Sequence, residues 1–450
     1  MKHYTRRHFT RAAASGLAIP LAAQIPGERP PNPPAVEVLN PRNRVPVSFM
    51  IDDSTCLVNL AHFGIPQFAE VFPERYKQDW RSLPREIPDS FVRKFGEWCH
   101  EHGVKGKYSI VPYPACTGWM DREVPGWSGK ELEDSLRLVR TLMVPDWDIH
   151  PEMISHTWII DTKTGRPYPE RTDFFMENFR WSEGKSADQL ANYMSYALRI
   201  LKNVDLPCEG ITTPGGFAGR VLPALAQATL QSCRDVFQAE IPHYFRHAIL
   251  DSRSVAPRVE YASGLEGTDP RCVVSIIACT SDWFGGWDGL VTPALDKMIT
   301  EDSRDGRLPE VIRRGEPAVL YSHWPGIYCN GQETGFHTLQ QVVARLHAGF
   351  DNLIWMKLSE IARYWAAKEL TRIDAAGGTI TFQAPFACPR FTLRCPVQGG
   401  GAPRQTAAGE TKPLKEAAGP LALHGGTWTR QEGHLLVCVD LPKGSSSLSL

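Results

Sequence analysis

The strongest constraint on this chain is a recurrence. Short apolar runs alternate with amphipathic helical patterns over most of its 450 residues. The first run, Val-Pro-Val-Ser-Phe-Met-Ile, ends in the adjacent carboxylates Asp52 and Asp53. Further strand-like runs fall at residues 107–112, 149–155, 210–213, 273–279, 318–321 and 353–356. Between them lie helical patterns at 90–102, 128–143, 186–201, 221–233, 292–299, 338–349 and 358–367, one opening on the capping pair Ser128 and Glu131. Strands alternating with helices imply parallel β-α units, and about seven units predict a closed or nearly closed barrel over residues 36–370. From residue 371 the pattern becomes short alternating runs between Gly- and Pro-rich turns, which predicts a small C-terminal β-rich domain over 371–450.

Residues 1–35 read as an address and a spacer. Thr5-Arg6-Arg7-His8-Phe9 followed by a small-residue apolar run has the form of a twin-arginine export signal, and the prolines from Pro26 to Pro34 form an extended linker. Beyond the signal no run is long enough for a transmembrane segment, so export to the periplasm or the exterior is expected. The 49 basic and 50 acidic residues balance, which removes any bulk electrostatic case for nucleic acid. The eleven cysteines include no Cys-x-x-Cys pair, and Cys388 with Cys395 is the best candidate for a bridge.

Polar clusters follow the apolar runs at one predicted end of the barrel. A lone Asp-Asp-Ser is most simply a turn or helix cap. Here, however, Met153-Ile-Ser-His156-Thr-Trp158, Thr-Thr-Pro214-Gly215-Gly216, Ser-Asp282-Trp283 and Tyr-Ser-His323-Trp324 follow successive strands. Strand C-termini in α/β folds carry ligand sites, and several His and Asp side chains converging there are hard to explain by packing.

In order and position these motifs resemble those of NodB-like polysaccharide deacetylases, from about residue 45 to 367. The resemblance implies a distorted (β/α)7 barrel of the NodB type and hydrolytic removal of acyl groups from a carbohydrate. It implies that Asp52 is the general base, Asp53 and His156 are ligands of a divalent metal, and His323 is the general acid oriented by Asp282. Pro214 and Gly215 would line the site, with Trp283 as one wall. Zinc is the first choice of metal, with cobalt or nickel as substitutes. Two positions depart from the family pattern. Ile160 stands where a second metal histidine is usual, leaving Asp161 as the candidate third ligand, and Thr213 replaces an arginine.

Thirteen Trp residues, Trp158, Trp283 and Trp324 among them, predict rim aromatics that stack on sugar rings. Two rival readings stand beside the deacetylase. One is a glycoside hydrolase in which two of Asp52, Glu152, Asp161 and Asp282 form a metal-free carboxylate pair. The other is a glycan-binding barrel without catalysis.

Overall fold

The computed structural model describes residues 27–31, 36–397 and 401–450. The expected twin-arginine signal and part of the proline linker lie outside them. Among the described residues no helix is long and apolar enough to cross a membrane.

The fold is mixed α/β with a β-rich C-terminal part. Its parallel strands are β1 (Val45–Asp52), β2 (Gly106–Ser109), β3 (Trp147–His150), β4 (Gly210–Thr212), β5 (His243–Ala248), β6 (Arg271–Ala278), β7 (Ala318–His323) and β8 (Leu353–Trp355). They fall into two sheets instead of one closed ladder. One has the order β7-β1-β2-β3, with β8 beside the first residues of β1. The other has the order β4-β5-β6, edged by the antiparallel strand Arg258–Ser263. The sheets touch at two seams. Glu152 bridges Thr212 between the end of β3 and β4, and the Cys279 amide donates to the Val319 carbonyl at 2.8 Å between β6 and β7.

Every residue of β1 is buried: Val47, Phe49 and Ile51 enter one apolar cluster, and Met50 enters another that includes Phe245 and Ile276 of the second sheet. Phe49 packs on Trp147 and Phe284, while Met50 belongs to a second cluster shared with the C-terminal part. The expected cap forms, with Ser128 and Glu131 bonded reciprocally, and Ser186 with Gln189 makes a second such pair. The helix expected at 292–299 shrinks to Leu295–Met298, and a helix not among the expected patterns, Leu60–Val71, follows the acid pair. Strand β5 went unforeseen because His-Tyr-Phe-Arg-His-Ala contains no apolar run.

After the helix Leu358–Leu370 come two five-stranded sheets. The short strand Glu37–Val38 pairs with Cys388–Pro396, so the start of the folded chain belongs to this β-rich part. Residues 27–31, read as free spacer, lie along Arg258–Ser263: the Glu28 amide donates to the Ala262 carbonyl and the Glu28 carboxylate accepts from the Gly264 and Leu265 amides. Cys388 and Cys395 are free thiols on one strand, roughly 20 Å apart at strand rise, so the expected bridge is excluded.

Candidate functional site

The carboxylates at the end of β1 point to different tasks. Asp52, the last strand residue, stands in register with His323 at the end of β7. Asp53 turns into the left-handed region at φ 59°, and His156 does the same at φ 66° in the loop after β3. Non-glycine residues held there store roughly 1–3 kcal/mol each and persist only where neighbours enforce them. The enforcers are carboxylates: Glu152 accepts the Asp53 amide at 2.8 Å, and Glu177 accepts the His156 amide at 2.5 Å.

Asp53, Glu152 and His156 form the one group of three metal-ligating side chains found among the described residues, with donor atoms within 4.8 Å of one another. His156 Nε2 lies 2.8 Å from Asp53 Oδ1 and 3.4 Å from Glu152 Oε1. The shorter approach is not aligned as a hydrogen bond, and Asp53 Oδ1 and His156 Nδ1 are both buried without a hydrogen-bond partner. Burial works against charge on His156, but Asp53 and Glu152 outweigh it and raise its pKa well above the ordinary value. One imidazole and two carboxylates, buried and converging, fit a divalent cation with mixed N/O preference. Such an ion would displace the proton that His156 holds in its absence.

Asp161 does not take part. It closes a surface turn, accepting from the Lys163 amide and the Thr164 hydroxyl, and Glu152 is the third member of the converging group instead. Trp324 is also displaced from its expected role: its side chain is fully buried among Phe91, Phe95 and Tyr108. Trp158 is buried beneath Arg171 in a cluster with Phe68 and Met176. Trp283 remains half-buried in the loop after β6, and Trp287 farther along that loop packs on Phe68 and Tyr76. Phe68 in turn edges the His156 ring. Pro214 and Gly215 lie in the turn after β4, where Gly215 packs against Asn178. His62 is tied to the Leu83 carbonyl, and His150 pairs with His243 at 3.0 Å, so neither joins the cluster.

On the other side of Asp52, His323 Nδ1 donates to Asp282 Oδ2 at 2.7 Å, and its Nε2 lies 2.8 Å from the Tyr321 hydroxyl. Burial pulls the His323 pKa down, yet the charges of Asp53, Asp282 and Asp52 and the bond to Asp282 raise it to about 9. Asp52 is fully enclosed. Burial and then the Glu152 charge push its pKa up, opposed by Lys107 and His323.

Sequence reasoning missed two residues that shape this site. Lys107 is fully buried at the start of β2 and donates to the Asp52 carboxylate, the Ile51 carbonyl and the Ser109 hydroxyl. A lysine inside a central parallel strand demands an acidic partner, and that was its readable signal. Glu177 accepts the amides of Ile154, Ser155 and His156 together with the Tyr193 hydroxyl. Burial lifts its pKa to about 7 against those four bonds. It lies in an aperiodic loop where nothing local marked it.

No family model and no curated protein matches the chain. Solved structures similar to it include a glycoside hydrolase family 30 subfamily 8 xylanase from Clostridium acetobutylicum, at 9% identity over 92% of this chain and 96% of that one with a TM-score of 0.28. An alpha-L-fucosidase aligns at 10% identity over 92% and 98% with a TM-score of 0.30, and the Thermotoga maritima alpha-fucosidase in complex with fucose at 10% over 92% and 97% with 0.26. These are glycoside hydrolases, not NodB-like deacetylases, and with no family match the expected membership of that superfamily is overturned. At these TM-scores the likenesses carry no argument about what this chain does.

Proposed function

We propose that this protein is a hydrolase acting on an extracytoplasmic carbohydrate, exported by the twin-arginine route, with the two parallel sheets as halves of one distorted barrel whose strand ends face the substrate. Asp53, Glu152 and His156 would hold a divalent cation, zinc first and cobalt or nickel as substitutes. When bound, such an ion polarises a carbonyl and makes water more acidic. The observation that carries the reading is the convergence of three buried donor side chains, with Asp53 and His156 held in left-handed conformations by carboxylate–amide bonds and Asp53 Oδ1 left without a hydrogen bond.

The remaining chemistry belongs to the chain. Asp52, with its raised pKa, takes a proton from the attacking water, and Lys107 neutralises the carboxylate before transfer. His323, kept protonated by Asp282 and the surrounding acids, gives its proton to the leaving oxygen or nitrogen. Trp283 and Trp287, on the loop beyond Asp282, offer faces for a sugar ring. Removal of an acyl group from a sugar is the bond cleavage this arrangement suits best. Cleavage of a glycosidic bond is the second reading, favoured by the raised pKa of Asp52 beside Glu152, since such chemistry needs one protonated and one ionised carboxyl group.

Metal analysis of the purified protein beside Asp53→Asn and His156→Ala tests the first reading. One divalent ion per chain, lost in both variants, is expected, with acetate released from acetylated glycans. Reducing ends released without acetate, and without any need for metal, would move the assignment to the second reading.

A further inference from the structure

We infer that Arg246 reads an anionic substituent of the substrate, a carboxylate or sulfate ester on the sugar, so that the proposed hydrolase acts on an acidic glycan; this specificity rests on the hydrolase reading above. Arg246 lies near the C-terminal end of β5, where the ladder to β6 breaks register: Phe245 pairs with Ile276 and His247 with Ile277, leaving Arg246 unpaired. Bulges of this kind re-aim a side chain, here over the turn that follows β4. The guanidinium packs on Gly219, with Nη2 only 2.3 Å from where a Cβ at that position would stand.

Arg246 itself lies within electrostatic reach of Tyr321, the hydrogen-bond partner of His323. Phe245 accepts from the Thr213 amide at 3.3 Å, immediately before Pro214, and its ring lies 5.3 Å from that of Tyr321, the partner of His323.

Among the described residues the charge on Arg246 has no carboxylate counterpart. Among the described residues no carboxylate forms an ion pair with it and no acceptor bonds it, although its Nε is buried. Its half-buried surroundings are basic as well. The charges felt by His247 are those of Arg246, Arg258 and Arg253, and only Arg253 carries a salt bridge, to Asp251. Glu260, on the edge strand beyond β6, is bonded by Ser275. A desolvated guanidinium is costly unless an acceptor completes its fork of donors, and a carboxylate or sulfate matches that fork in two parallel bonds. A neutral sugar does not.

Calorimetric titration of the full-length protein with three probes of equal length tests this: an oligogalacturonate, a galactose-sulfate oligosaccharide and a xylo-oligosaccharide. At least one acidic probe is expected to bind about tenfold or more tighter than the neutral one, with the advantage shrinking as salt rises. The acidic probe that wins identifies carboxylate or sulfate as the natural group. Arg246→Gln should abolish the preference while leaving neutral binding unchanged, and Arg246→Lys should keep part of it. Equal binding of all three probes by the wild type overturns the inference whether or not the variants fold, and so does a preference that survives Arg246→Gln. An Arg246-dependent preference for an acidic probe, with neither that probe nor its acetylated form hydrolysed, would refute the hydrolase and leave the binding site standing. Cleavage of neutral glycans alone would do the reverse.

Discussion

At the scale of single residues the site is an arrangement of buried charges that neutralise one another. Lys107 and Asp52 are both nearly inaccessible, so each is tolerable only because of the other. Lys107→Met should therefore cost roughly 3–5 kcal/mol in chemical denaturation, because it strands a buried carboxylate, and adding Asp52→Leu should recover much of the loss. A second expectation concerns His323. Its folded pKa of about 9 lies above the ordinary 6.5, so its stabilising contribution is complete below pH 6.5 and disappears as pH rises through 9. Titration of the metal-free protein by imidazole NMR should show this directly, and Asp282→Asn should move the midpoint down. A His323 midpoint near 6.5 in the wild type would contradict the raised pKa on which its role as acid depends.

Elements deliver these residues by turning sharply where strands end. The segment after β3 bends through Met153 and His156, both at positive φ, and Glu177 pins three successive amides of that bend. Glu177→Gln should therefore weaken cobalt binding about tenfold or more, as loss of an outer-shell partner commonly does. A structural loss alone would lower the melting temperature without changing affinity in the folded protein, so the two effects are separable. Much of this scale was legible in the sequence. The apolar run of β1, the Ser128–Glu131 capping box and the amphipathic helix Ala187–Asn203 all follow from local periodicity. Strand β5 was not legible, because its residues are basic and aromatic and its burial comes from β4, β6 and the helices around it.

For the whole molecule, the β-rich C-terminal part shares a core with the parallel sheets. Met50 and Val319, from β1 and β7, belong to the same apolar cluster as Phe382, Phe391 and Val437. Tyr364, on the last helix, bonds the Leu39 carbonyl and the Thr392 amide. Truncation after Leu370 should uncover this surface and give insoluble or dye-binding protein; a soluble truncated chain with an unchanged melting temperature would show the parts to be independent.

The sequence by itself determined which segments, β5 apart, are strands of a covered sheet and that carboxylates and histidines follow them, because burial period and chain order are local properties. It thereby brought Asp52, Asp53, His156, Asp282 and His323 into view. Which acid completes the triad was decided only in three dimensions. Asp161 looked suitable by spacing, yet the chain turns outward there, while Glu152 meets Asp53 across ninety-nine positions through a backbone amide. Lys107, Glu177 and Arg246 likewise acquire meaning from what surrounds them: two find buried partners and one finds none among the described residues, and a charge's surroundings are a property of the packed fold.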